Sequence, residues 1–300
     1  MELKQGFKYF ILLCLIFCRL NLQAEESRSF RVFSEDSLCG EELVFLTDSL
    51  RDGRAMGSAG SQDVAFYLLR QFRSAGLRTS VQSFVHGGKA GHNVVGVTPG
   101  WFEEYIVVGA YYDGLGTLGG DFYPGADSNA SGVAALLSLA RTLPELCTGR
   151  TGVIFVAFDG HNASMSGSRT FLARYRFEYP MAKMVNLDIL GSSLVPLHEG
   201  RGDYLLALGG GQWRFSIENA NREDPLDLSY DYYGSETFTD LFYRKISDQR
   251  CFLEAGIPCV MFTSGITMNT NKTTDTISAL DIPVLERRVG LIGRWLASQL

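Results

Sequence analysis

The chain of 300 residues lacks several features that would define its class at once. It has no internal repeat, no low-complexity tract and no linker rich in proline or serine, and proline itself occurs only eight times. Since 46% of the residues are hydrophobic and 20% are charged, the composition is that of a globular protein able to bury a sizeable core. These absences exclude a repeat array and a largely disordered chain, and they favour one continuous domain.

A long hydrophobic run is also missing. The apolar stretch from Tyr9 to Cys18 is about ten residues, too short to cross a bilayer of roughly 30 Å, and Arg19 follows it. Lysines precede this stretch and Ala24 offers a cleavage site, which is the pattern of a signal peptide. We therefore predict a signal peptide over residues 1–24, a single domain over residues 25–300, no transmembrane anchor, and export to the periplasm or the medium.

Cysteines near the start of the chain raise the alternative of a lipid anchor. Cys14 and Cys18 follow bulky residues, where a lipidation site needs a small one, so lipoprotein anchoring is the weaker prediction. Beyond the predicted signal peptide, spacing does not decide between disulfides and buried thiols for four cysteines. They are Cys39, Cys147, Cys251 and Cys259.

Positive charge is in deficit. The chain has 27 basic residues against 33 acidic ones, a formal net charge of −6 at pH 7. Proteins that bind nucleic acid neutralise phosphates with lysine and arginine. The charge balance therefore predicts a protein without a nucleic-acid partner.

Two common catalytic motifs are absent as well. The triple glycine Gly209 to Gly211 lacks the Lys and Ser/Thr of a phosphate-binding loop, so we predict a turn there. The segment Ser164 to Ser168 does not fit the Gly-x-Ser-x-Gly motif of serine hydrolases, because serine stands at both glycine positions. The sequence thus offers no serine nucleophile of this kind.

What the sequence does contain is an alternation of apolar runs and amphipathic stretches. Runs of strand length recur along the chain, and stretches with helical spacing separate most of them. This alternation predicts an α/β fold with a mainly parallel, mixed central sheet flanked by helices on both faces. The predicted strands are Thr79–Val85, His92–Val97, Tyr105–Ala110, Val153–Phe158, Met184–Ile189, Tyr204–Leu208 and Cys259–Phe262, and the predicted helices are Glu41–Leu50, Asp63–Ala75, Ala130–Leu143, Ser166–Tyr175, Trp213–Asn221 and Val284–Leu300.

Polar residues follow the predicted strands at the edge where such sheets bind ligands. Tyr111 and Asp113 end one strand, His161 and Asn162 follow the next, and Asp188 lies near the end of a third. Each residue alone has a structural explanation, such as a turn or a packed histidine. Their shared position at one edge predicts a functional site.

A further acidic residue, Asp127, lies at the start of a predicted helix within the segment 125–132. An acid at that position is usually a cap, stabilised by the helix dipole. The ordered set of segments, rather than any single residue, favours a functional role for it.

Together these segments resemble those of metallopeptidase family twenty-eight, which comprises zinc aminopeptidases and carboxypeptidases and has glutaminyl cyclases as relatives. The most specific match is Gly-Ala-Asp-Ser-Asn-Ala-Ser-Gly at residues 125–132, close to the family's Gly-Ala-Asp-Asp-Asn-Ala-Ser-Gly. The resemblance implies the three-layer zinc-exopeptidase architecture, similar to phosphorylase/hydrolase-like folds. The other matching segments follow in the family's order at residues 53–58, 107–113, 158–162, 167–168, 186–188, 247–248, 256–258 and 274–276.

The resemblance also implies positions for the ligands of two zinc ions. Family members use two His, a bridging Asp, a Glu and a further Asp or Glu, and another Glu acts as general base. Here Asp127, at the bridging position, and Asp188 are the retained metal positions. The replaced positions carry Tyr111 for the first His, Asn162 for the ligand Glu, His161 for the general base and Asn271 for the second His.

These replacements shape the functional prediction. Because a catalytic zinc normally keeps three protein ligands, we expect the family's zinc not to be held; calcium or magnesium is the alternative cation, since the pocket offers mostly oxygen donors. The sequence favours a catalytically impaired exopeptidase that keeps a cleft for a peptide or small ligand. His161 is the candidate catalyst, and the ligand pocket is predicted to comprise Tyr111, Asp113, Asn162 and Asn271.

Two other functions stay open. One is an active metal-dependent aminopeptidase with a one-metal site made of Asp127, Asp188 and His161; glutaminyl cyclisation is a weaker variant of it. The other is an interaction scaffold that uses its surface rather than a cleft. The sequence indicates neither the identity of the ligand nor the oligomeric state.

Overall fold

The structure is a computed structural model that describes residues 39–232 and 235–300. The predicted signal peptide over residues 1–24 lies outside these ranges, as do Cys14 and Cys18. The described residues belong to one compact unit. A search of them finds no helix with the length and hydropathy needed to cross a membrane.

In the described part of the chain, ten strands form two sheets. Eight of them make one mixed sheet in the order β1-β2-β6-β3-β7-β10-β8-β9, and β4 pairs with β5 separately. The four central strands, β6, β3, β7 and β10, are mutually parallel, so their carboxyl ends meet at one edge. The strands are β1 (Arg78–His86), β2 (Lys89–Val97), β3 (Glu104–Tyr111), β4 (Gly116–Leu118), β5 (Asp121–Tyr123), β6 (Thr151–Phe158), β7 (Met181–Leu187), β8 (Tyr204–Leu208), β9 (Asp227–Ser229) and β10 (Cys259–Thr263).

Helices cover both faces of this sheet. Helices α2, α3 and α8 pack on one face, and α4, α6 and α7 contribute to the apolar core on the other. Three of them begin at residues whose side chains accept a backbone N–H: Ser58 before α2, Ser235 before α6 and Asp281 before α8. The helices are α1 (Cys39–Thr47), α2 (Ala59–Ser74), α3 (Gly132–Thr142), α4 (Ser166–Tyr175), α5 (Arg214–Ala220), α6 (Glu236–Lys245), α7 (Gln249–Glu254) and α8 (Ile282–Ala297).

The core lies between the sheet and each helical layer. Every residue of β6 is buried, as expected for a strand covered on both faces. Its side chains alternate between the layers, because Phe155 lies 6.3 Å from Phe72 of α2 and Phe158 lies 5.7 Å from Phe171 of α4, measured between ring centroids. The predicted α/β fold with three layers is confirmed.

Several local predictions differ from the structure. Helix α1 ends at Thr47 rather than Leu50, because the Asp48 side chain accepts the N–H of Leu50 and starts a separate 3-10 turn. Strand β7 ends at Leu187, and Ile189 has a positive φ of 58° that no strand adopts. Helices α6 and α7 and the short strands β4, β5 and β9 were not predicted. Three of the cysteines that the structure describes are free thiols: Cys147, Cys251 and Cys259.

Candidate functional site

The central parallel strands bring most of the predicted site residues to one edge of the sheet. Strand β3 ends at Tyr111, β6 is followed two residues later by Gly160 and then His161, and β7 is followed directly by Asp188. Backbone hydrogen bonds hold these ends together, since the N–H of Tyr112 donates to Phe158. The edge is therefore built by the sheet itself and not by a flexible loop.

His161 makes two close side-chain contacts at this edge. Its Nδ1 lies 2.8 Å from Oδ2 of Asp248, which is fully buried. Its ring stacks on Tyr111 with the centroids 3.7 Å apart and the planes at 10°. Burial lowers the pKa of His161, but the negative charges of Asp248, Asp188 and Asp113 outweigh it and raise that pKa to about 9. At neutral pH His161 is therefore protonated, and Nδ1 donates to Asp248.

Tyr111 and Asp188 complete what we call the His161 cluster, which consists of His161, Tyr111, Asp248 and Asp188. The hydroxyl of Tyr111 lies 3.1 Å from Oγ of Ser128, and burial together with the charge of Asp188 raises its pKa. Asp188 is also buried, which raises the pKa of its carboxyl. Its Oδ1 accepts no hydrogen bond from the residues that the structure describes.

Asp113 orients the segment that carries His161. Its Oδ1 accepts the backbone N–H of His161 at 2.8 Å, and its Oδ2 accepts the backbone N–H and the side-chain amide of Asn162 at 3.1 and 3.2 Å. Burial and the charge of Asp159 raise the pKa of Asp113 to about 7. Its two oxygens are thus already used to hold the turn after β6.

Asp127 has different surroundings. Its Oδ1 accepts the N–H of Gly191 at 2.7 Å and the hydroxyl of Ser131 at 3.0 Å, and its own N–H donates to Asp275 at 2.7 Å. Burial and the charge of Asp275 raise its pKa to about 7. We call Asp127, Ser131, Gly191 and Asp275 the Asp127 cluster. It ties the start of α3 to the loops that follow β7 and β10.

The predicted pocket residues differ in exposure. Asn162 and Asn271 are exposed, whereas Tyr111, Asp113 and Asp188 are buried. Asn271 has a left-handed backbone with φ of 60°, a conformation that Asn tolerates better than most residues. The acidic residues of the edge are therefore buried, and the two asparagines face solvent.

The structure does not bring Asp127, Asp188 and His161 together as a metal centre. Within residues 39–232 and 235–300, no group of three or more His, Cys, Asp or Glu side chains could hold a metal ion. The predicted one-metal arrangement is therefore not formed by these side chains.

Two residues of the site carried no predicted role. Asp248 belongs to segment 247–248, one of those that resemble the family. It lies directly before a helix, and this was the feature of the sequence that could have pointed to it. Arg54 belongs to the quoted segment 53–58; its buried guanidinium donates to four backbone carbonyls, including those of Tyr112 and Gly125. It thereby fixes the end of β3 against the loop that carries Asp127.

The family of the chain follows from a comparison of its sequence with known families. Residues 93–292 match the description Peptidase family M28. The chain belongs to peptidase family M28. The uncharacterized protein YfbL of Escherichia coli strain K12 is 30% identical over 246 residues, which is 73% of each chain.

Solved structures of M28-like enzymes share the fold at low identity. The Legionella pneumophila LapA aminopeptidase superposes with a TM-score of 0.73 at 18% identity, over 93% of this chain and 76% of that one. BSAP, a zinc aminopeptidase from Bacillus subtilis, gives a TM-score of 0.70 at 14% identity, over 87% and 94% of the two chains. These likenesses support the three-layer fold and suggest zinc as the metal of the M28 family.

The residues of this M28 chain do not fit a zinc centre of that kind. A catalytic zinc needs three protein ligands, usually His, Asp, Glu or Cys. The Nδ1 of His161 is bonded to Asp248, and one oxygen of Asp127 is saturated by backbone and hydroxyl donors. Tyr111, Asn162 and Asn271 stand at the other ligand positions that the family resemblance predicts, and neither a neutral phenol nor an amide is a usual zinc ligand.

Proposed function

We propose that this M28 chain is a catalytically impaired exopeptidase relative that uses the cleft at the carboxyl edge of its sheet to bind a peptide or small ligand. The observation that carries the proposal is the His161–Asp248 pair. His161 stands at the position that the family resemblance predicts for the general base, and a protonated imidazole bonded to a carboxylate at 2.8 Å does not accept a proton.

The same edge has the properties of a binding site. Asp188 keeps a buried oxygen that no described residue satisfies, and a buried acceptor without a partner costs about 1–3 kcal/mol. A ligand that donates an N–H to this oxygen recovers that cost. The exposed amide of Asn271 offers a further polar contact, whereas the amide nitrogen of Asn162 already donates to Asp113. An amine-bearing ligand such as a peptide N-terminus matches this arrangement.

Metal content and turnover test the impaired activity. Elemental analysis of the protein purified at neutral pH should find no stoichiometric zinc, and amino-acyl chromogenic substrates should not be cleaved above background. Asp127→Asn serves as the matched variant, and we expect its metal content to equal that of the parent. Stoichiometric zinc together with robust cleavage would refute the proposal.

Ligand binding is tested separately by calorimetry. A short peptide with a free N-terminus should bind, the N-acetylated peptide should bind more weakly, and Asp188→Asn should reduce the difference between the two. Equal binding of both peptides by the parent protein would exclude an amine site while leaving the question of catalysis to the metal measurement.

A further inference from the structure

A second surface of the molecule lies on the helical layer formed by α4, α6 and α7, away from the cleft. Two adjoining depressions cross it. One of about 270 Å³ lies between α4 and α7, and the other of about 260 Å³ lies between α6 and α7. Glu254 lines both, so the two depressions are neighbours on one surface of three helices, and we call them together the groove.

The groove is basic in a protein whose net charge is −6. Five cationic side chains line it, and Glu254 is the only acid among its lining residues. Arg244 and Arg250 are neutralised by Asp240 and Glu254 on their own helices. Three others form no ion pair anywhere in the described ranges: Arg169, Arg176 and Lys245.

The floor of the groove is apolar. Leu172 and Ala173 of α4 and Ala255 after α7 line the first depression, and Leu253 lines the second. At the outer end, the guanidinium of Arg176 lies 4.6 Å from the ring centroid of Phe177, which is 77% exposed. Apolar pockets therefore alternate with cationic rims along the groove.

We infer that this groove binds an acidic peptide segment of a partner protein, with apolar side chains in the two depressions and carboxylates on Arg169, Arg176 and Lys245. Charge complementarity selects a negative partner, because three cations here lack a counter-charge. Two depressions of side-chain size favour a peptide, and the exposed Phe177 beside them makes binding to anionic vesicles the competing outcome of the test. This inference does not depend on the function proposed for the cleft.

Fluorescence anisotropy of a labelled short peptide that alternates glutamate with leucine tests the inference on the full chain. The peptide should bind saturably, and binding should weaken as salt rises from about 0.05 M to about 0.5 M. The variant that carries both Arg169→Glu and Arg176→Glu should bind the peptide at least about tenfold more weakly than the parent. The matched control reverses Arg70 and Arg73, two exposed arginines of α2 on the opposite face of the sheet, and should bind as the parent does.

A variant that fills a depression without changing the net charge separates the contribution of the depression from that of the cations. Ala255→Phe places a ring in the first depression and should weaken the glutamate–leucine peptide at unchanged net charge. Equal thermal melting of all variants shows that they are folded. The inference is wrong if the parent shows no saturable binding, or if the α2 control loses as much affinity as the groove variant. It is also wrong if vesicles of anionic lipid displace the peptide and a lysine–leucine peptide binds as well as the glutamate–leucine peptide.

Discussion

Two groups of buried carboxylates lie at the carboxyl edge of the same sheet, and they differ in what satisfies them. In the Asp127 cluster, backbone N–H groups and the Ser131 hydroxyl serve as donors, and the contacts join segments far apart in sequence. In the His161 cluster the donors are side chains. Both clusters keep buried carboxylate oxygens without a partner among the described residues, Oδ2 of Asp127 in the first and Oδ1 of Asp188 and of Asp248 in the second. The first arrangement joins separate loops through the main chain, and the second places a titratable imidazole among carboxylates.

Bonds to the main chain explain how the loops at this edge are held in place without a metal ion. Arg54 and the Asp127 cluster hold the loops of the edge by bonds to the main chain, which do not require a cation. The His161–Asp248 pair places a positive charge among the acidic residues of the edge. A protonated imidazole there offsets part of the repulsion that a metal ion would otherwise offset.

The largest expected effect is a loss in the free energy of unfolding as the pH rises, and it depends on His161. Because the pKa of His161 is raised from 6.5 to about 9 in the folded protein, its pairing stabilises the fold fully below about pH 6.5. That stability, on the order of 3 kcal/mol, is lost as the pH rises through 9. Chemical denaturation between about pH 7 and 9 measures most of this decline. Asp113 and Asp127, with pKa values of about 7, finish ionising in the lower part of this range, and they do so in the parent and in the variant alike. His161→Gln should flatten the decline; parallel curves for parent and variant would remove His161 as its cause.

The next effect concerns the Asp127 cluster. Asp127→Ala leaves the N–H of Gly191 without an acceptor, and the hydroxyl of Ser131 keeps only the backbone carbonyl of residue 127. The variant should lower the free energy of unfolding by about 2 kcal/mol. Asp127→Asn keeps one carbonyl oxygen and should cost less than half as much. Urea denaturation of both variants checks this, and equal losses would mean that charge rather than hydrogen bonding matters at Asp127.

A smaller effect is expected at Tyr111. Tyr111→Phe removes the hydroxyl that lies 3.1 Å from Ser128 but keeps the ring stacked on His161, so it should cost about 1 kcal/mol. Tyr111→Ala also removes the stack and should lower stability much further. If the two variants lose the same stability in denaturation, the stack on His161 contributes nothing.

Sequence patterns predicted the sheet and its edge because buried strands produce apolar runs that end where the chain turns. Tyr111 and Asp188 could be placed at that edge for this reason. The partner of His161 could not, since Asp248 is 87 residues further along the chain and the ion pair forms only when α7 packs beside β6. The same limit applies to Asp127, whose acceptor role depends on Gly191, 64 residues away. Local patterns do not encode such contacts.

The zinc content of the purified protein, measured by elemental analysis at neutral pH beside an Asp188→Asn variant, tests the central claim most directly. We expect substoichiometric zinc in the parent and in the Asp188→Asn variant, and no change in the protonation of His161 when zinc is added. Stoichiometric zinc in the parent that disappears in the variant would contradict it, because the edge would then be a metal centre after all.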